Sequence, residues 1–186
     1  MSGGPDLQRI VEPDQLFNRL FDGLAQEHLP PTGGRQWLAA VRKALERFAK
    51  EIDPHIVVYY SKDSSSEFLV DLMWLRPARD DPDANGKILL AVECEWSSSP
   101  DDVWNDFSKL LYVRAPRNLL ICCLSPKALK KGIQQYAQDI TDAGGLESHE
   151  KYILINFGNQ RVEYWWCEPS EPVRFQKGSS RQYWQF

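Results

Sequence analysis

Residues 67–96 read EFLVDLMWLRPARDDPDANGKILLAVECEW, two apolar extended runs joined by a polar turn, each interrupted by side-chain acids. In the first, Asp71 stands alone amid Leu69, Val70, Leu72, Met73 and Trp74. In the second, ILLAVECEW, Glu93 and Glu95 stand two apart. Side chains alternate across a strand, so these two glutamates share a face. The β-rich composition marks both runs as strands and DDPDANG as the turn between them. A hairpin-like pairing then sets Asp71 beside Glu93 or Glu95. An ionised carboxylate buried in a strand costs on the order of several kcal/mol unless a cation or strong donors compensate. Three in neighbouring strands therefore point to a built site, and clustered hard oxygens suit Mg²⁺ or Mn²⁺ better than zinc. Such an ion would bind a phosphodiester oxygen and activate water. The plainer alternative, a solvent-facing strand surface decorated with acids, is opposed by the apolar neighbours of Asp71 on both faces.

Working outward, PDQLFNRLFDGLAQ places Leu16, Phe17, Leu20, Phe21 and Leu24 at helical spacing and is stopped by HLPPTGG. RQWLAAVRKALERFAKEID places Trp37, Leu38, Val41, Leu45, Phe48 and Ile52 on one stripe and ends before Pro54. HIVVYYSK then begins an extended series, so three consecutive antiparallel strands are expected. After them, SPDDVWNDFSKLLYVRA opens with Ser99 as N-cap, Pro100 at the first helical position and Asp102 three residues after the cap. RNLLICCL reads as a strand covered on both faces, leading through Ser125 and Pro126 into a helix that stops at Gly144 and Gly145. KYILINF and RVEYWWCE are further strands, and the tail EPSEPVRFQKGSSRQYWQF is expected to be irregular but packed through Phe175, Tyr183, Trp184 and Phe186. The order α-α-β-β-β-α-β-α-β-β implies an α/β protein with a mixed central sheet flanked by helices.

The chain's 186 residues suit one domain with a real core, and 42% hydrophobic against 26% charged residues excludes wholesale disorder. No apolar stretch approaches a membrane span and no signal-like segment opens the sequence, so a cytoplasmic protein with no membrane partner is expected. Cys94, Cys122, Cys123 and Cys167 sit in apolar runs without CxxC or His pairing, which favours buried free thiols. A net charge of −4 argues against coating nucleic acid by bulk electrostatics but not against a nuclease, because metal-bound carboxylates attract phosphate.

An Asp in one strand, a turn, then Glu-x-Glu at the end of the next strand, followed by a helix and an apolar strand, resembles the PD-(D/E)xK nuclease superfamily. The resemblance covers about residues 35–124 in element order. It implies one restriction-endonuclease-like domain over 1–186, with core order α-β-β-β-α-β, an N-terminal helix at 13–27, and C-terminal strands and aromatic tail over 150–186. It assigns Asp71 and Glu93 to the metal. The third position, usually Lys, holds Glu95, and a carboxylate cannot supply the positive charge. Lys109 on the following helix would supply it, as in members where the Lys has moved, whereas its plainer role is an exposed partner of Asp106. The family often adds a Glu from the preceding helix, here Glu46 with Glu51 as rival. The implied function is a Mg²⁺- or Mn²⁺-dependent endonuclease acting on DNA. The alternative is a non-catalytic nuclease-fold module that binds partners through its aromatic C-terminus, and a homodimer fits either.

Other groups carry less. His28, His55 and His149 are scattered without nucleophile-system spacing, and neither GxxxxGK[ST] nor GxGxxG occurs, so kinase and dehydrogenase chemistry are not indicated. Tyr164, Trp165 and Trp166, with Tyr183, Trp184 and Phe186, read either as core or interface residues or as platforms for unpaired bases. Lys127, Lys130 and Lys131 read as a solvated helix face or a phosphate contact.

Overall fold

The structure is a computed structural model that describes residues 11–27, 34–60, 69–77, 86–158 and 161–182. Four helices, α1 (Pro13–Ala25), α2 (Gly34–Ile52), α3 (Pro100–Val113) and α4 (Pro126–Asp142), accompany seven strands. The strands are β1 (Val57–Tyr60), β2 (Leu72–Arg76), β3 (Lys87–Glu95), β4 (Arg117–Cys122), β5 (Lys151–Gly158), β6 (Arg161–Cys167) and β7 (Gln176–Gln182). They form one mixed sheet in chain order, β1 to β7. β1, β2 and β3 are antiparallel; β3, β4 and β5 are parallel, joined by α3 and α4; β5, β6 and β7 are antiparallel again. Parallel neighbours need a crossover between them, and the two helical patterns in the sequence fall at those two crossings.

Helices cover both faces. On one side α1 and α2 lay Leu16, Phe17, Leu20, Leu45 and Phe48 against Leu72, Trp74, Leu90, Val92 and Ile121. On the other, α3 and α4 lay Val103, Phe107, Leu110, Leu129 and Tyr136 against Ala91, Leu120, Cys122, Tyr152 and Leu154. β4 is therefore buried along its whole length, which explains its unbroken apolar reading. α1 and α2 meet at Gly23, where a Cβ would stand 2.6 Å from that of Ala44.

The caps behave as the sequence dictates. Ser99 accepts from the Asp102 N–H and Ser125 from the Ala128 N–H, each followed by Pro at the first helical position. α3 ends on Arg114 in the left-handed region, φ 49°, held there by its guanidinium on buried Glu150 and on the Gly145 carbonyl. The loop after β4 is pinned by buried Asn156, whose amide donates to the Leu124 carbonyl (3.1 Å) and accepts from the Leu124 N–H (2.7 Å).

One expectation fails in the C-terminal segment. Residues 176–182 are not irregular but form β7, an exposed polar edge strand paired with β6. Its backbone completes the ladder although its side chains carry no apolar alternation. Phe175 packs as expected, whereas Tyr183, Trp184 and Phe186 lie outside the described residues. All four cysteines are free, with Cys123 the one that is only half-buried. No helix among the described residues is long and apolar enough to cross a membrane.

Candidate metal centre

β2 and β3 pair with Leu72 opposite Val92, so one step further along the register brings Asp71 level with Glu93. Asp71 lies in the bend that leads into β2, and its Oδ2 accepts from the Cys94 N–H at 3.0 Å, which fixes it to β3. In the parallel pair, Glu93 stands beside Leu120 and Glu95 beside Cys122, residues whose side chains belong to the α3/α4 side. Both glutamates thus point under α3, and Glu93 is 1% exposed.

α3 supplies the counter-charge. Lys109 Nζ lies 3.4 Å from Glu93 Oε1 and donates to Asp106 Oδ1 at 2.6 Å. At 3.4 Å the Glu93 contact is an ion pair without hydrogen-bond geometry, and Oε1 is otherwise buried with no donor. Burial, then the charges of Asp71 and Asp106, push the Glu93 carboxyl up to about 9 against the pull of Lys109. Asp71 is also raised, by burial first, although the Cys94 N–H opposes the shift. Burial works to lower Lys109, but Asp106 and Glu93 outweigh it and hold the ammonium charged. The centre is thus two carboxyl groups driven toward neutrality around one lysine, a state that a divalent cation would reverse.

Two other expected residues are placed elsewhere. Glu95 is half-buried and engaged in the β3–α3 turn, where its Oε1 accepts from the Ser97 N–H while Ser97 Oγ donates to Asp102. Glu46 is exposed on α2, the helix that covers the opposite sheet face, and the rival Glu51 is spent on Arg19 at 3.3 Å. Among the described residues, no group of three or more His, Cys, Asp or Glu side chains is placed to hold a metal ion. What the fold brings together is Asp71, Glu93 and Lys109. A pair of carboxylates still suits Mg²⁺ or Mn²⁺, which commonly take one or two protein carboxylates and complete their shell with water and substrate oxygens. Glu93 Oε1, buried and undonated, is the oxygen most in need of such a partner.

Two contributors were passed over in the sequence. The sequence offers Asp106 as the surface partner of Lys109, yet it also acts on Glu93 and Asp71; its i, i+3 spacing from Lys109 is the available signal. Arg42 of α2 acts on Asp71 and Cys94 from the other layer, and nothing in its local sequence announces that. Of the aromatic cluster, Tyr164 is core, stacked on Phe17, while Trp165 and Trp166 are half-buried on opposite faces. His55 is exposed, His149 lies 3.6 Å from Glu147, and His28 falls outside the described residues. No family model matches the sequence, and no curated protein matches it.

Proposed function

We propose that this protein is a divalent-metal-dependent phosphodiesterase acting on DNA, arranged on the PD-(D/E)xK plan with its lysine carried on α3 instead of β3. The observation that supports it is the levelling of Asp71 with Glu93 across the β2–β3 pair, with Lys109 at 3.4 Å from the buried glutamate. The succession α2-β1-β2-β3-α3-β4 is in keeping with that plan. In this reading Asp71 and Glu93 hold Mg²⁺ or Mn²⁺. When bound, the ion polarises a phosphodiester oxygen and makes water a competent nucleophile near neutral pH. Lys109 holds positive charge beside the reacting phosphate, Asp106 fixes its ammonium, and the Cys94 N–H orients Asp71. Glu95 shapes the turn that launches α3.

A second reading, a non-catalytic nuclease-fold binding module, is favoured by one observation: Lys109, 3.4 Å from Glu93, already sets a positive charge beside the buried carboxyl without an ion. Mn²⁺ titration followed by thermal unfolding separates the two. Binding to the native state alone raises stability by about 2.7 kcal/mol at a hundredfold excess over Kd. The phosphodiesterase reading expects such a rise, abolished in Asp71→Asn and Glu93→Gln, together with Mn²⁺-dependent nicking of supercoiled plasmid. Wild type that neither binds Mn²⁺ nor nicks DNA above the Glu93→Gln background would leave the binding module as the function.

A further inference from the structure

A cleft of about 560 Å³ opens on the α3/α4 side of the sheet, between the start of α4 and strands β5 and β6. Its apolar lining is Leu129, Ile133, Trp165 and Phe175, buried or half-buried. Its cations are Lys130, Arg161 and Lys177, all exposed. Lys177 Nζ stands 5.3 Å from the Trp165 ring centroid. Glu163 is the single acid in the lining, and it is neutralised by Lys177 at 2.7 Å and Arg161 at 3.9 Å. Lys130 makes no ion pair among the described residues. On a chain of net charge −4, this is a locally cationic, aromatic-walled cavity. The start of α4 at Pro126 adds the positive end of a 17-residue helix.

Position ties the cleft to the carboxylate centre. Glu93 pairs with Leu120, Leu120 with Leu154, Leu154 with Trp165, and Trp165 with Lys177. Trp165 therefore lies in the same row and on the same face as Glu93, three strand spacings away, about 14 Å. The row between them runs through Leu120 and Leu154, which α3 and α4 bury, so a strand that joins the two sites passes over those helices.

The geometry points to a nucleotide-binding subsite here: the cleft seats one unit of a single-stranded DNA segment, base against the Trp165–Phe175 wall and phosphate against Lys130, Arg161 and Lys177, while the same strand reaches Asp71 and Glu93. A flat apolar body bearing negative charge is what this lining recognises, and single-strand sites combine cationic grooves with aromatic walls in this way. The assignment rests on the phosphodiesterase reading for its substrate, but seating in the cleft needs no metal.

The test is fluorescence anisotropy of labelled oligothymidylate with the full chain in EDTA at low salt. Binding should weaken roughly tenfold in Lys130→Glu, an exposed helix position that leaves the fold intact, and similarly in Trp165→Leu. No binding by wild type, or equal binding by Lys130→Glu and Trp165→Leu, overturns the subsite. Competition by poly-glutamate as effective as by unlabelled oligonucleotide also overturns it, since charge alone would then suffice. Cleavage that persists unaltered in both cleft variants sinks the subsite and leaves the phosphodiesterase standing, whereas cleft binding without metal-dependent cleavage supports the subsite and removes the enzyme.

Discussion

Glu93 concentrates the chemistry at the scale of single residues. Its carboxyl titrates near 9 in the folded chain and near 4.5 in the unfolded one. The native state therefore binds the extra proton between those values, so stability falls as pH rises from about 4.5 to about 9 and levels off beyond. Glu93→Gln should flatten that slope and exceed wild type in stability at pH 9 by a few kcal/mol, one pH unit being worth about 1.4 kcal/mol; urea titrations across the window check it. Metal reverses the sign. Because the proton must leave before an ion can bind, apparent Mn²⁺ affinity should climb with pH over the same interval, and a flat profile by calorimetry would contradict a role for Glu93 as ligand. Lys109→Met should cost on the order of 100-fold in nicking rate, with little change in Mn²⁺ affinity. That Asp71 stands beside Glu93 or Glu95 was legible because strand alternation and an acid amid apolar neighbours are both written locally, whereas the choice of Glu93 needed the β2–β3 register. The helix glutamate was not, since periodicity tells which stripe of α2 is buried but leaves open which exposed residue faces a site; Glu46 turns out to face solvent.

Among the elements, the short connections and the edge strand hold the most testable consequences. Asn156 serves both backbone groups of Leu124, so Asn156→Leu strands a buried donor and acceptor and should cost about 3 kcal/mol in denaturant unfolding. A loss below about 1 kcal/mol would mean that water replaces the amide. Gly178 lies so close under Tyr164 that an added Cβ would fall 1.9 Å from the ring. Gly178→Ala should therefore loosen β7 from β6, seen as faster amide exchange in residues 176–182. This closeness also explains why β7 escaped the sequence reading. QKGSSRQ has no alternating apolar side chains to announce a strand, and its place is set by the free edge of β6 and by a glycine that fits beneath a buried tyrosine. By contrast α3 was legible to within a residue or two, because Ser99, Pro100 and Asp102 state its start chemically. The polar, lysine- and arginine-bearing β7 also closes the sheet with a surface that discourages further strand addition.

Considered whole, the molecule carries net negative charge while gathering Lys130, Arg161 and Lys177 at one cleft. Association with single strands should then depend on salt through those few contacts: log K should fall with log salt at a slope of about −0.7, for the one phosphate that the cleft seats. A slope near zero would place the ligand elsewhere. The α/β class and the mixed sheet were readable from the alternation of strand and helix patterns. Which face each helix covers was not, because amphipathic stripes show that a helix packs without naming its partner. In the folded chain, each strand's sheet neighbour is also its neighbour in sequence, so the sheet is able to grow strand by strand as synthesis proceeds. The first helix is different. Asp14 receives the Tyr164 hydroxyl, and Asn18 and Asp22 receive Arg181, partners some 150 or more residues downstream. A nascent chain can thus dock α1 early but cannot latch it until β6 and β7 emerge, which makes the clasp between α1 and these two strands a lock that only the assembled sheet can close.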